Sequence, residues 1–173
     1  MSDSHSSEDF SPEISAFPRA GFWRRIGAII YDLLVVAAVI MFAAGAVLAL
    51  VSGLIALDII TLAEHQDHAS VVQGNPLFTL YIIAVILLFY AGFWRRGGQT
   101  LGMRAWRMRV QNADGSRISW KQGFIRALSA LFGLGNLWVL FSRDKLALQD
   151  RLAQCEVVVL SAEANQYKNW KRK

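Results

Sequence analysis

The sequence predicts a membrane α-helical protein: two transmembrane helices, a third short hydrophobic segment that dips in and returns, and a small cytoplasmic β-hairpin or sheet. Three observations carry this. Apolar residues make up 54% of the 173 residues and charged ones 18%, against roughly 25% charged in an average soluble domain. The charges are also unevenly placed, since residues 26–57 contain only Asp32 and residues 77–94 contain none. Residues 95–126, by contrast, hold eight basic residues and one acid, the lysine/arginine excess that marks a cytoplasmic segment.

The length suits one domain. The net charge of +5 raises nucleic acid as a partner, but the basic residues abut the apolar runs. None forms a basic recognition helix or an RNA-binding signature. Anionic headgroups on the cytoplasmic side of the bilayer are the expected counterpart, and nucleic acid is not. The single cysteine, Cys155, excludes an internal disulfide and reads as a small buried side chain.

Residues 1–20 are polar, with no apolar periodicity, and are expected to form a disordered cytoplasmic tail. Their acidic start does not match a secretory signal, so the first span is expected to remain in the mature protein. A bilayer core takes about 20 helical residues, so the run from Ile26 to Leu57 exceeds one span (about 26–50) and must tilt or extend past the far interface. Gly45, Ala49 and Gly53 form a small-residue stripe that suits close helix approach, and with it a homo-oligomer or a membrane partner protein.

Asp58 to Gln73 carries three acids and no lysine or arginine, and is expected outside. Its Glu64-His65-Gln66-Asp67-His68 invites a metal reading, but no third and fourth ligand stand at a known spacing, so no metal is expected. Asn75-Pro76 is a helix start, and the second span (about 77–95) ends in Gly92-Phe93-Trp94-Arg95-Arg96. That ending echoes Gly21-Phe22-Trp23-Arg24-Arg25 at the first span. Aromatic rings at headgroup depth with arginines just outside place both at one interface. The N-terminus is therefore expected to be cytoplasmic.

Beyond it, Trp106, Met108 and Val110 alternate with Arg107 and Arg109, which is strand spacing. Asn112-Ala113-Asp114-Gly115 signals a turn, and 117–120 could return as the second strand of a hairpin. Residues 127–141 are uncharged but number only 15. The interruption at Gly133-Leu134-Gly135-Asn136 and the flanking charges favour a re-entrant segment or third span over about 124–141. Cys155 to Leu160 has strand composition and is expected to join the hairpin. Residues 161–173 read as a basic cytoplasmic tail.

The ordered pieces Arg25 with Asp32, Gly98-Gln99-Thr100-Leu101-Gly102, Asp114-Gly115-x-Arg117, Arg126, and Ala147-Leu148-Gln149-Asp150-Arg151-Leu152-Ala153 resemble the RDD family of bacterial multi-pass membrane proteins over about residues 20–160. The resemblance implies an inner-membrane location and transport as a function, cation or cation/proton exchange among the possibilities. Two departures stand out. Met103 replaces a common lysine, and Gln149-Asp150 replaces His-Asp, so no histidine stands beside Asp150 to relay a proton.

An acid at membrane depth calls for a partner or a task. Seven residues put Arg25 and Asp32 about 10 Å apart along the helix, so each must pair elsewhere. Arg126 and Arg104 are the expected partners of Asp32, leaving Arg25 or Arg24 for Asp150. Gly98, Thr100 and Gly102 are expected to support this network. It could carry transport through Asp32, or it could be a buried ion-pair lock in a structural, partner-binding subunit. With no nucleophile–base set, no phosphate-binding loop and no closed ligand group, neither an enzyme nor a cofactor is expected.

Overall fold

A computed structural model describes residues 17–59, 61 and 67–166. The histidine-rich motif lies largely outside them, as do residues 1–16 and 167–173 of the two tails. The first helix, α1 (Phe22–Ala56), runs 35 residues without a break, about 52 Å at 1.5 Å per residue. Nothing in its Ala-, Val-, Leu- and Ile-rich sequence interrupts the backbone ladder. It ends where Asp58 turns to φ 56°.

The second helix, α2 (Pro76–Gly97), starts where the Asn75 side chain accepts the Leu77 N–H at 2.9 Å, with proline at its first position. It stops at Gly98, whose φ of 69° is left-handed and whose N–H closes on the Trp94 carbonyl at 2.9 Å. Both helices are long and apolar enough to cross a membrane, and few of their side chains are buried within the protein. Phe42, 83% exposed, is typical of this outward apolar surface.

Apart from a short 3-10 turn at His68–Val71 between the two long helices, the remaining elements form a cap at one end of this pair: α3 (Leu101–Ala105), β1 (Met108–Gln111), α4 (Trp120–Ser129), a 3-10 stretch (Leu131–Leu137), α5 (Trp138–Phe141), α6 (Leu148–Leu152) and β2 (Glu156–Val159). β1 and β2 pair antiparallel, with Met108 opposite Val159 and Gln111 opposite Glu156. Ala20, Met108, Val110, Ile118 and Val157 are almost fully buried and, with Ala28, Trp94 and Met103 from the helices, make one core. The cap is thus packed on the two long helices, not tethered to them.

The hairpin expected from 106–120 does not form. Asn112 to Ser116 does turn, with the Asn112 N–H bonded to the Ser116 carbonyl at 2.9 Å, but residues 117–120 do not return as a strand. Ser119 instead caps α4. Its Oγ accepts the Gln122 N–H at 3.2 Å while Gln122 Oε1 accepts the Ser119 N–H at 2.9 Å, a reciprocal cap that satisfies two otherwise orphaned donors. The partner of β1 is therefore β2, far along the chain.

Nor does the N-terminal tail extend to residue 20. Arg19 forms a bridge with Val158, flanked by bonds of 2.8 Å from Ala20 N–H to the Val157 carbonyl and from Val159 N–H to the Pro18 carbonyl. Residues 161–166 likewise belong to the cap, since Asn165 accepts from Gln99 Nε2 at 2.9 Å and donates to the Arg104 carbonyl at 3.1 Å. In the third hydrophobic segment, α4 and the stretch Gly133–Phe141 meet at 88°. That is the shape of a broken span or a re-entrant loop, and not of a straight crossing.

Candidate functional site

Two buried acids organise the contact between the cap and the two long helices. Asp150, at the third position of α6, is fully buried. Its carboxylate lies between two guanidinium groups: Arg25 Nη2 from the first turn of α1 at 2.7 Å, and Arg126 Nη1 from the last turn of α4. The Ala147 N–H adds a third donor at 3.0 Å. One carboxylate therefore ties together the start of the first long helix, the segment after the second, and the C-terminal helix.

Both arginines are themselves held. Arg25 Nε donates to the Ala20 carbonyl at 3.1 Å, and its remaining nitrogens donate to the Lys145 carbonyl at 3.3 Å and Asn136 Oδ1 at 3.4 Å. The Arg126 guanidinium stacks over the Trp94 ring, 4.9 Å from its centroid, a cation–π contact that favours the charge in a dry site. Its Nη1 also reaches Cys155 Sγ at 3.5 Å. Asn136 is the one amide side chain in the uncharged stretch 127–141, and it also accepts from Gln149 Nε2 at 2.9 Å. Sequence reasoning singled out neither Asn136 nor Gln149 as part of this cluster. An amide alone within uncharged sequence was the available signal.

Asp32 is two helical turns deeper and also buried. Its Oδ2 accepts the Thr100 hydroxyl at 2.5 Å and its Oδ1 accepts the Gly102 N–H at 2.8 Å. The Thr100 oxygen in turn accepts the Met103 N–H at 3.2 Å, capping α3. Neither bond to Asp32 comes from an arginine, because Arg126 is committed to Asp150. The two expected partners of Asp32, Arg126 and Arg104, supply neither of these bonds, and the carboxylate is seated instead on the start of a short helix.

Two glycines make that seat possible. A Cβ on Gly102 would stand 2.1 Å from the Ala28 carbonyl oxygen, so only glycine lets α3 lie against α1. Gly98 needs its left-handed φ to leave α2, and a Cβ there would meet the Val110 carbonyl at 2.5 Å. Of the other expected residues, Arg24 is outside both clusters and reaches the Trp106 carbonyl at 3.4 Å. Arg104 is on α3, half-buried. Asp114 serves its turn by accepting the Ser116 N–H at 2.9 Å.

Burial alone would push the Asp150 carboxyl up, but the Arg126 and Arg25 charges, with the hydrogen bonds from Arg25 and Ala147, outweigh it and hold the group below its ordinary 3.8. A carboxyl depressed in the folded state contributes stability above the unfolded pKa and loses it as pH falls through the folded one. The thermal midpoint in detergent is therefore expected to fall below about pH 4, with a smaller acid-induced fall in Asp150→Asn. An equal fall in parent and variant would remove Asp150 as the cause. Burial pushes the Cys155 thiol up, which makes it a poor nucleophile. Among the described residues no three His, Cys, Asp or Glu side chains could jointly hold a metal ion.

A family model described as the RDD family matches residues 19–154, a range that contains every member of both clusters except Cys155. No curated protein and no solved structure matches the chain.

Proposed function

We propose that this chain, which belongs to the RDD family, is a non-catalytic, structural and partner-binding subunit of a bacterial inner membrane. Family membership and the two long apolar helices support a membrane protein. We further read it as multi-pass, with its N-terminus and cap in the cytoplasm among anionic headgroups, and with the outward apolar faces of α1 and α2 meeting lipid, a second copy or a membrane partner. The positive-inside bias of residues 95–126 supports that orientation.

One observation carries the structural reading: each embedded acid already has its donors within the chain's own packing, in the cap and, for Asp150, also at the start of α1. Asp150 has two arginines and a backbone N–H, and Asp32 has a hydroxyl and a backbone N–H. A transporting carboxylate must exchange its partner for cargo each cycle, whereas here the donors also hold the fold together. Exchange would have to open the packing of α3 on α1 or of α6 on α4.

A second reading, cation or cation/proton exchange through Asp32, has one observation in its favour: Thr100, which donates to Asp32, lines an open cavity. Cation and proton flux in proteoliposomes separates the two. The structural reading expects no flux above empty vesicles for the parent protein, and a lower thermal midpoint for Asp32→Asn. The loss should be about 1.5–3 kcal/mol, the range for hydrogen bonds to a charged group. Flux in the parent that disappears in a folded Asp32→Asn protein would establish transport instead.

A further inference from the structure

The cavity that Thr100 borders has a volume of about 440 Å³ and is open on one side. Its walls divide by chemistry. Leu88, Phe89 and Phe93 from α2, with Trp120 from the start of α4, form an apolar side. Arg96, in the last turn of α2, and Arg104, on α3, line the same space, and among the described residues no acid does. Phe93 and Trp120 are 37% and 47% exposed, and Arg96 is exposed as well. The apolar wall spans Leu88 to Phe93, and Arg96 comes one turn after it on the same helix.

An open groove with an apolar wall along a membrane helix and cations at its interfacial end matches one kind of molecule in its two chemistries. Acyl chain suits Leu88, Phe89 and Phe93; a phosphodiester suits arginine, which binds phosphate oxygens through a planar fork of donors. Basic pockets between helices on the cytoplasmic side are the sites where anionic headgroups collect. With two arginines and no acid among its described lining residues, the groove favours a headgroup with net negative charge over a zwitterionic one. We propose that this groove is a binding site for one anionic phospholipid, with its phosphate at Arg96 and Arg104 and one chain against Leu88, Phe89 and Phe93. The assignment deepens the headgroup contact in the membrane reading above and rests on that reading.

Native mass spectrometry of the full chain in detergent, titrated with phosphatidylglycerol or phosphatidylcholine, tests it. One phosphatidylglycerol is expected to be retained at least severalfold better than phosphatidylcholine, and Arg96→Gln should abolish that preference. Gly92→Leu narrows the groove without changing charge: a Cβ there already stands 3.8 Å from Trp120. It should lower retention of phosphatidylglycerol as well. Arg95→Gln, on the neighbouring residue and outside the groove, should change neither. Inorganic phosphate in excess should not displace the lipid; displacement would assign the site to free phosphate. Equal retention of both lipids by the parent protein overturns the proposal whether or not the variants fold. Labelling of single cysteines from either side of the membrane reports the topology separately, so failure of the lipid site and failure of the membrane reading are distinguishable.

Discussion

Asp150→Asn is expected to destabilise the protein by about 3–5 kcal/mol or more, the range for leaving a buried charge without its partner. The reason is charge arithmetic at one point. Arg25 and Arg126 converge on a single carboxylate, so removing it leaves two cations buried against one another. Arg126→Met makes the informative comparison. It leaves Arg25 and Asp150 as a neutral pair, with Ala147 still donating to the carboxylate, and so should cost clearly less than Asp150→Asn, although the stacking on Trp94 is also lost. Chemical unfolding in detergent measures both. Equal losses would mean that packing volume, and not uncompensated charge, sets the effect.

The second large effect is expected at Gly102. A Cβ placed 2.1 Å from the Ala28 carbonyl oxygen and 2.9 Å from the Asp32 carboxyl carbon cannot be accommodated by a rotamer change. Gly102→Ala must lift α3 off α1. Overpacking costs about 1–3 kcal/mol, and lifting α3 also strips Asp32 of the Thr100 and Gly102 donors, adding about 1.5–3 kcal/mol for hydrogen bonds to a charged group. Gly45→Ala and Gly53→Ala are the controls. Neither position has an atom within 4 Å of the new methyl, so each should gain up to about 1 kcal/mol from helix propensity. A neutral Gly102→Ala would show that the contact of α3 with α1 is not what holds Asp32.

These two sites also show what the sequence reveals and what it hides. The long helices were legible because an uncharged run of sufficient length has few alternatives, and Asn75-Pro76 and Arg95-Arg96 mark the ends of the second. A pairing of Asp150 with Arg25 or Arg24 was expected once Arg126 or Arg104 served Asp32; the structure brings Arg25 to Asp150 but brings Arg126 there as well. The donors to Asp32 were not expected. The sequence suggests an opposite charge, Arg126 or Arg104, while the structure uses a hydroxyl and a main-chain N–H, and every residue but proline carries the latter. Gly98, Thr100 and Gly102 stood out as a motif, but only backbone geometry shows that the glycines provide clearance and the threonine the proton. The false hairpin has a similar origin. Alternation at 106–110 is real, yet a strand pattern does not name its partner, and the Ser119–Gln122 cap commits the following residues to a helix.

The place of β2 bears on how the protein is made. It lies between the Pro18–Ala20 segment and β1, so a strand near the end of the chain fills the middle of an assembly whose edges come from near its beginning. During synthesis both long helices leave the ribosome well before residue 150, and folding proceeds broadly from the N-terminus. Until Asp150 and β2 emerge, Arg25 and Arg126 have no carboxylate and the edges of β1 and residues 18–20 have no partner. Residues 150–159 therefore complete the assembly. A chain that stops short of residue 150 leaves Arg25 and Arg126 without the carboxylate that both of them bind.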